Sequence, residues 1–424
     1  MMKIVVILLL VLSVSAVNAN DFSNTDQIIH SEIISWLDKA HGNSKVSSDL
    51  KPCLFKKKSL TSLKICHQYI ESIYVTEDID SHMVYINQLL YLGVNVSRLW
   101  VYRRILDTQY DEVISQMYFN IAKSSYLYGR YDHALKYLKK IDDYLEDKYV
   151  YHALLIYGLI YFEQGKYKRA QKYFSRITER SKHYASAQFN LGLINMRSLW
   201  WSDAEENLNN AISSFNLKSI SKKQSMFLDR LYLTVGYSQL SRKDFRAAKK
   251  SFTTISIDSE FKSRALMGIA LSEIGLSNFG KAASLLKLIN KTGEVTVKLD
   301  ALVTLPQVYH KAGNIKQTIK YYDVAIKNMT DIMKNIDKNS LGNEYSSIFS
   351  SIRMRLDIVN NLIYLKKSSS QTFTSLKIIR SRLSKDKIDL IVEINNKLKD
   401  KIINYRNQSK YALATIYDAS VVQK

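Results

Sequence analysis

Few residues in this sequence are spaced for chemistry, and the sharpest candidate is a glycine–lysine loop. Gly275-Leu-Ser-Asn-Phe-Gly280-Lys281-Ala282 fits the G-x-x-x-x-G-K core of a phosphate-binding loop. In such a loop backbone N–H groups cradle phosphates, and a following Ser or Thr holds Mg²⁺. Ala282 stands where that hydroxyl is needed, and the preceding segment has helical periodicity, so the stretch reads as a turn between two helices. The eight histidines, at 30, 41, 67, 82, 133, 152, 183 and 310, include no H-x-x-x-H pair and no H-E-x-x-H zinc helix. No G-x-S-x-G nucleophile elbow occurs. We therefore expect no catalytic residue, no cofactor and no metal site. Cys53 and Cys66, with His67 beside them, supply too few ligands for a metal. As an isolated pair in an oxidising compartment they read as one disulfide, contributing about 3 kcal/mol in the chain-entropy picture.

The compartment follows from the first nineteen residues. Lys3, an apolar run from Ile4 to Val14, and Val17 and Ala19 at signal-peptidase spacing form a secretory signal peptide over 1–19. An uncleaved anchor is the alternative, but the apolar run falls short of the roughly 20 residues a span needs. Export across the cytoplasmic membrane, most simply to a bacterial periplasm, is expected. The formal charge is +22, and removing the leader's one Lys and no acid leaves +21. Such a surplus fits either an anionic partner, polymer or lipid, or an ordinary solvated surface in a Lys-rich proteome. Export removes the commonest nucleic-acid targets, so no nucleic acid is expected.

What must position any binding residue is helical. The 424 residues contain only 13 Gly and 2 Pro, too few turn formers for an all-β chain. Gly129-Arg-Tyr131-Asp-His-Ala134-Leu-Lys-Tyr-Leu138 and Gly165-Lys-Tyr167-Lys-Arg-Ala170-Gln-Lys-Tyr-Phe174 share one pattern. It recurs at Trp201, Ala204 and Leu208, at Phe245, Ala248 and Phe252, and at Phe279, Ala282 and Leu286. A weaker sixth copy has Gly313, Ile315, Thr318 and Tyr322, and the small residues lie 36, 34, 44, 34 and 36 apart. Each copy is preceded by an amphipathic stretch with its own small residue, at Ala122, Gly158, Gly192, Gly236 and Ala270. A small residue on one helix facing the small residue on the next predicts close antiparallel pairs that bury their apolar faces by stacking.

These residues resemble the tetratricopeptide repeat family, and Leu154, Tyr157, Gly158, Tyr161, Ala170 and Phe174 match its signature. The resemblance implies an all-α, right-handed solenoid of about six helix–turn–helix repeats over 115–330. It implies a non-enzymatic interaction scaffold whose first helices line a concave groove for an extended partner segment. Carried over by position, the groove residues are Phe119, Lys123, Tyr126, His152, Phe189, Arg197, Arg230, Tyr237, Arg264 and Lys311. Aromatic and cationic groups together suit a protein or peptide partner with acidic character, in envelope assembly, secretion or polymer export. Two alternatives stand beside this: a binder of anionic envelope polymer or lipid through the basic surface, and the accessory solenoid of a glycan-acting enzyme. Peripheral membrane contact remains open.

The flanks read as helical. Residues 20–114 form an N-terminal region or cap holding the disulfide, and 331–424 a C-terminal region with helices at Tyr345–Leu365, Thr372–Leu383 and Lys387–Ala419. In the last, Ile388, Ile391, Ile394, Leu398, Ile402 and Tyr405 form one apolar stripe, suited to capping the array. Pro306, where the small residue of copy six belongs, predicts a kinked and looser repeat or a junction. About ten extra residues near Asn216–Lys223 predict longer helix ends or a loop.

Overall fold

The computed structural model describes residues 111–127, 129–141, 147–215, 220–336 and 371–422, with isolated positions between 83 and 108 and at 356 and 360. The leader, Cys53 and Cys66 lie outside the described residues, as do most of 20–114 and of the helix expected at 345–365. Among those described there are 13 helices and no strand.

Twelve of the helices pair into six hairpins. They are α1 Asp111–Leu127 with α2 Tyr131–Lys139, α3 Asp147–Glu163 with α4 Tyr167–Phe174, α5 Tyr184–Arg197 with α6 Trp201–Ser213, and α7 Lys222–Ser241 with α8 Phe245–Thr253. The last two are α9 Lys262–Gly275 with α10 Phe279–Thr292 and α11 Val295–Lys311 with α12 Ile315–Asn335. A final helix, α13, spans Gln371–Val422. Helices α1–α4 belong to one compact unit, and α5–α12 with α13 from Leu390 onward to another.

One backbone device makes all six hairpins. Gly129, Gly165, Leu199, Lys243, Ser277 and Gly313 all have φ between 62° and 73°, the left-handed region. Each donates its N–H to the carbonyl three residues back, one short of a full helical step, as Gly165 does to the Phe162 carbonyl at 3.0 Å, and the next residue reaches back five, as Lys166 does to Tyr161 at 2.8 Å. This double closure satisfies the last carbonyls of the first helix and reverses the chain. Three of the six positions are not glycine, so the turn is imposed by the packing of the hairpin and not by local preference alone. The glycine–lysine stretch is such a turn: Gly275 ends α9, Ser277 takes the left-handed φ, and Gly280 already lies on α10.

Packing across three of the hairpins differs from the expected small-on-small contact. A Cβ on Gly236 would stand 2.6 Å from the Phe252 ring, and one on Gly192 2.9 Å from Leu208 Cγ. Gly158 faces the Phe174 ring in the same way. The glycine makes room for the large apolar residue of the second helix. The small residue of that helix, Ala134, Ala170, Ala204, Ala248, Ala282 or Thr318, is fully buried beside it. The resulting cores span neighbouring hairpins. Leu233, Tyr237 and Leu240 of α7 pack with Ala248 and Phe252 of α8, Ile255 beyond it and Ala265 of α9. Met267 and Ala270 of α9, with four residues of α10, pack with Val297, Ala301, Leu305 and Val308 of α11. Each large side chain so buried contributes roughly 1.5–3 kcal/mol, which no hairpin could obtain alone.

The turn also sets a repeating pair, four residues before it and eight after. It is a stacked Tyr161–Tyr173 with centroids 5.5 Å apart, an Asn195–Asn207 hydrogen bond of 3.0 Å, a Ser251–Gln239 hydrogen bond of 2.8 Å, and a stacked Tyr309–Tyr321 at 5.0 Å. Successive hairpins of the second unit are joined at the same level. Gln239 donates to Glu205 at 2.8 Å, and Lys249 pairs with the buried Glu273 at 2.7 Å.

Pro306 and part of the added length near 216–223 fall within well-formed helices, and one expectation, on the last helix, needs correction. Pro306 is buried in an uninterrupted α11, and Thr318 opposite is fully buried with its hydroxyl on the Asn314 carbonyl at 2.8 Å. The added length near 216–223 is absorbed partly by α7, twenty residues long and opened by a capping box at Ser221 and Gln224. The helices expected at 372–383 and 387–419 are one helix, and its buried face is Leu390, Ile394, Leu398, Ile402 and Ser409, while Ile388 and Ile391 are exposed. Leu398 and Ile402 pack on Leu299 and Leu302 of α11 and on Ala325 and Met329 of α12, where a further hairpin would stack.

Candidate functional site

Equivalent positions on the first helices recur in register because the turn recurs. Arg230 on α7, Arg264 on α9 and Asp300 on α11 each stand thirteen residues before the left-handed residue of their hairpin. They therefore form a ladder across three stacked hairpins of the second unit. Arg230 is half-buried, and its guanidinium lies 4.9 Å from the centre of the Phe189 ring, a cation–π contact that orients it. Burial holds it below the usual arginine range; Glu260 opposes that shift and Arg264 adds to it. Two guanidiniums thus sense each other at neighbouring rungs. Tyr237, buried on α7, donates its hydroxyl to the Arg264 carbonyl at 3.2 Å, and burial pushes that hydroxyl far above the ordinary tyrosine range, so it stays a donor.

The third rung has the opposite sign and is already occupied from within the chain. Lys401 of α13 places Nζ 2.9 Å from Asp300 Oδ1, and the Tyr405 hydroxyl donates to the same oxygen at 2.8 Å. The ladder therefore carries two half-buried arginines and ends on a carboxylate satisfied by the terminal helix. Chemically this can grip carboxylates; it brings together no acid–base pair. Among the described residues no group of three or more His, Cys, Asp or Glu could hold a metal ion.

The other positions expected to line a groove separate by burial. Phe119, Phe189 and Tyr237 are core residues, not surface contacts. Phe119 lies 5.0 Å from the Tyr149 ring and 5.1 Å from that of His152, and Phe189 packs edge-on against Phe227 at 5.6 Å. Tyr126 is half-buried beside Tyr131 at 6.1 Å, and burial, with the Glu163 carboxylate, raises its hydroxyl above its usual range. Lys123 on α1 is exposed, as are Arg197 at the end of α5 and Lys311 at the end of α11. Phe119, Lys123, Tyr126 and His152 lie in the first unit and the rest in the second. Sequence reasoning passed over Asp300, Glu260, Lys401 and Tyr405. Asp300 was within reach, since it lies 36 residues after Arg264, one repeat on. Lys401 and Tyr405 come from outside the repeats: Tyr405 is legible only as the end of the apolar stripe, and Lys401 carries no periodic signal.

Comparison with known proteins bears on the same hairpins. Residues 151–184, which span α3 and α4, match the family model described as a tetratricopeptide repeat. No curated protein matches the chain in sequence. Among solved structures, the C-terminal part of a repeat-containing protein from Cytophaga hutchinsonii is similar at 16% identity, with 61% of this chain and 99% of that one covered and a TM-score of 0.40. The apo form of RapI aligns at 12% identity over 58% of this chain and 98% of its own, with a TM-score of 0.40. A signal-transduction ATPase with a tetratricopeptide repeat sensor, from Pyrococcus horikoshii, aligns at 13% over 92% of this chain and 68% of its own, TM-score 0.41. Alignments this distant carry no functional argument. Residues 151–184 thus form a tetratricopeptide repeat, and five further hairpins of the chain are built on the same turn.

Proposed function

We propose that this chain is a non-enzymatic interaction scaffold whose second unit holds an extended, acidic segment of a partner protein along its first-helix face. Stacked helical repeats in general serve protein–protein interaction, because each repeat adds a rung to one continuous surface. The observation that carries the acidic specificity is the pair Arg230 and Arg264. They occupy one repeat position on successive hairpins, are half-buried, and repel each other, with Glu260 offsetting part of the charge on Arg230. Carboxylates from an extended chain would relieve that repulsion and add charge-assisted hydrogen bonds. The leader at 1–19 supports a setting outside the cytoplasm, and we place the protein in the cell envelope, in assembly, secretion or polymer export.

The test is fluorescence anisotropy of a fluorescein-labelled Glu-rich peptide, with a Lys-rich peptide as control. The full chain should bind the acidic peptide alone. Arg264→Glu should weaken binding about tenfold or more, since a hydrogen bond to a charged group contributes roughly 1.5–3 kcal/mol and each 1.4 kcal/mol is a factor of ten. Arg230→Glu/Arg264→Glu should abolish binding while the far-UV circular dichroism stays unchanged. Undiminished binding by the double variant, or no binding by the parent, would end this reading.

A further inference from the structure

The turn between α5 and α6 breaks the pattern of its neighbours at two adjacent positions. In the other hairpins of the second unit the left-handed residue and the residue after it are Lys243-Asp244, Ser277-Asn278 and Gly313-Asn314. The Asp244 and Asn314 side chains cap the next helix, accepting from Ala247 N at 3.1 Å and Gln317 N at 3.0 Å. Here the pair is Leu199-Trp200. Leu199 holds φ 62°, a conformation that strains a bulky side chain, and Trp200 sits at the N-cap of α6 with no side-chain hydrogen bond. Both choices weaken the fold locally, yet neither side chain recovers the loss by packing: Leu199 is 62% exposed and Trp200 57%. The neighbouring Trp201 does pack into the core with Leu193 and Phe227. One tryptophan anchors the turn, and the other projects from it.

The surroundings say what the projecting pair meets. Each hairpin of this unit packs on the next, α6 on α7, α8 on α9 and α10 on α11, so the four turns line one edge. That edge exposes Arg197, Lys243, Lys281, Lys311 and Lys316, and Arg242 paired with Glu205, against Asp203 and Asp244. A protruding Leu-Trp tip amid cations is the inverse of a pocket. It suits a flat, negatively charged, deformable surface, because tryptophan rings settle at the bilayer interface and arginine and lysine meet phosphate headgroups.

We propose that the turn edge of the second unit docks on an anionic phospholipid bilayer, with Leu199 and Trp200 entering the interface and the flanking basic side chains meeting the headgroups. This is independent of the peptide reading, since it uses the turns and leaves the faces of the first helices free.

The test is co-sedimentation of the full chain with phosphatidylcholine vesicles and with phosphatidylcholine–phosphatidylglycerol vesicles, beside the charge-neutral variant Leu199→Gly/Trp200→Ser. The parent should sediment with the anionic vesicles only. The variant should bind them at least tenfold more weakly and melt higher, because Gly relaxes the turn and Ser caps α6. Lys243→Glu should also weaken binding. No sedimentation of the parent with anionic vesicles would overturn the proposal, as would equal binding by the double variant. So would a double variant that binds less but melts lower, since the pair would then be holding the turn.

Discussion

A single methyl group placed at Gly236 tests the packing on which the ladder depends. The Phe252 ring lies between two glycines, Gly236 on its own hairpin and Gly268 on the next, and a Cβ on either would come within 3.0 Å of it. The ring can neither yield to one side nor to the other. Gly236→Ala should therefore meet the upper end of the usual overpacking cost, about 3 kcal/mol. Against this the substitution gains about 1 kcal/mol of helix propensity. The net is about 2 kcal/mol destabilising, a thermal midpoint roughly 4–8 °C lower for a unit of this size. Gly280 supplies the matched control, since it lies on α10 with nothing within 4 Å of an added Cβ. Gly280→Ala should gain up to about 1 kcal/mol and melt higher. Thermal melts followed by far-UV circular dichroism separate the two signs. A Gly236→Ala protein melting at or above the parent would refute the reasoning.

Two further perturbations bear on the turns and on pH. Lys243→Gly should stabilise by about 1 kcal/mol, because the left-handed φ of 65° costs a side-chain-bearing residue what glycine does not pay, and a rise in the urea midpoint checks it. His133, hydrogen-bonded to Ser125 Oγ at 2.7 Å, is pulled down to about 4 by burial and then by Arg130 and Lys136. The unfolded chain takes up that proton near pH ~6.5 while the folded chain refuses it. Stability should therefore fall as pH drops from about 6.5 towards 4, and His133→Gln should flatten that part of the midpoint–pH curve.

Much of this architecture could be read from spacing. The period of the small residues located all six hairpins, because the helices, the turn and the large apolar residue repeat together. The non-glycine turn residues could not be read: Leu199, Lys243 and Ser277 have no preference for a left-handed φ, and only hairpin packing holds them there. The stripe on the last helix was misjudged because Ile388 and Ile391 alternate with Leu390 and Ile394, and two faces then fit a 3.6-residue period equally well. The polar stretch around Ser384–Lys387 suggested a break, yet a helix needs no apolar residue to continue through lysine and aspartate. At the site, the cations were visible as repeating charges, while the burial of Phe119, Phe189 and Tyr237 depends on the neighbouring hairpin that covers each ring.

The central claim is that partners lie on the first helices, and site-specific photo-crosslinking tests it most directly. A photoreactive side chain placed at Ser241 or Gln307, on α7 and α11, should capture the labelled Glu-rich peptide. The same group at Lys250 or Lys287, on the second helices α8 and α10, should not. Equal capture from both sets, or capture from the second helices alone, would contradict the account.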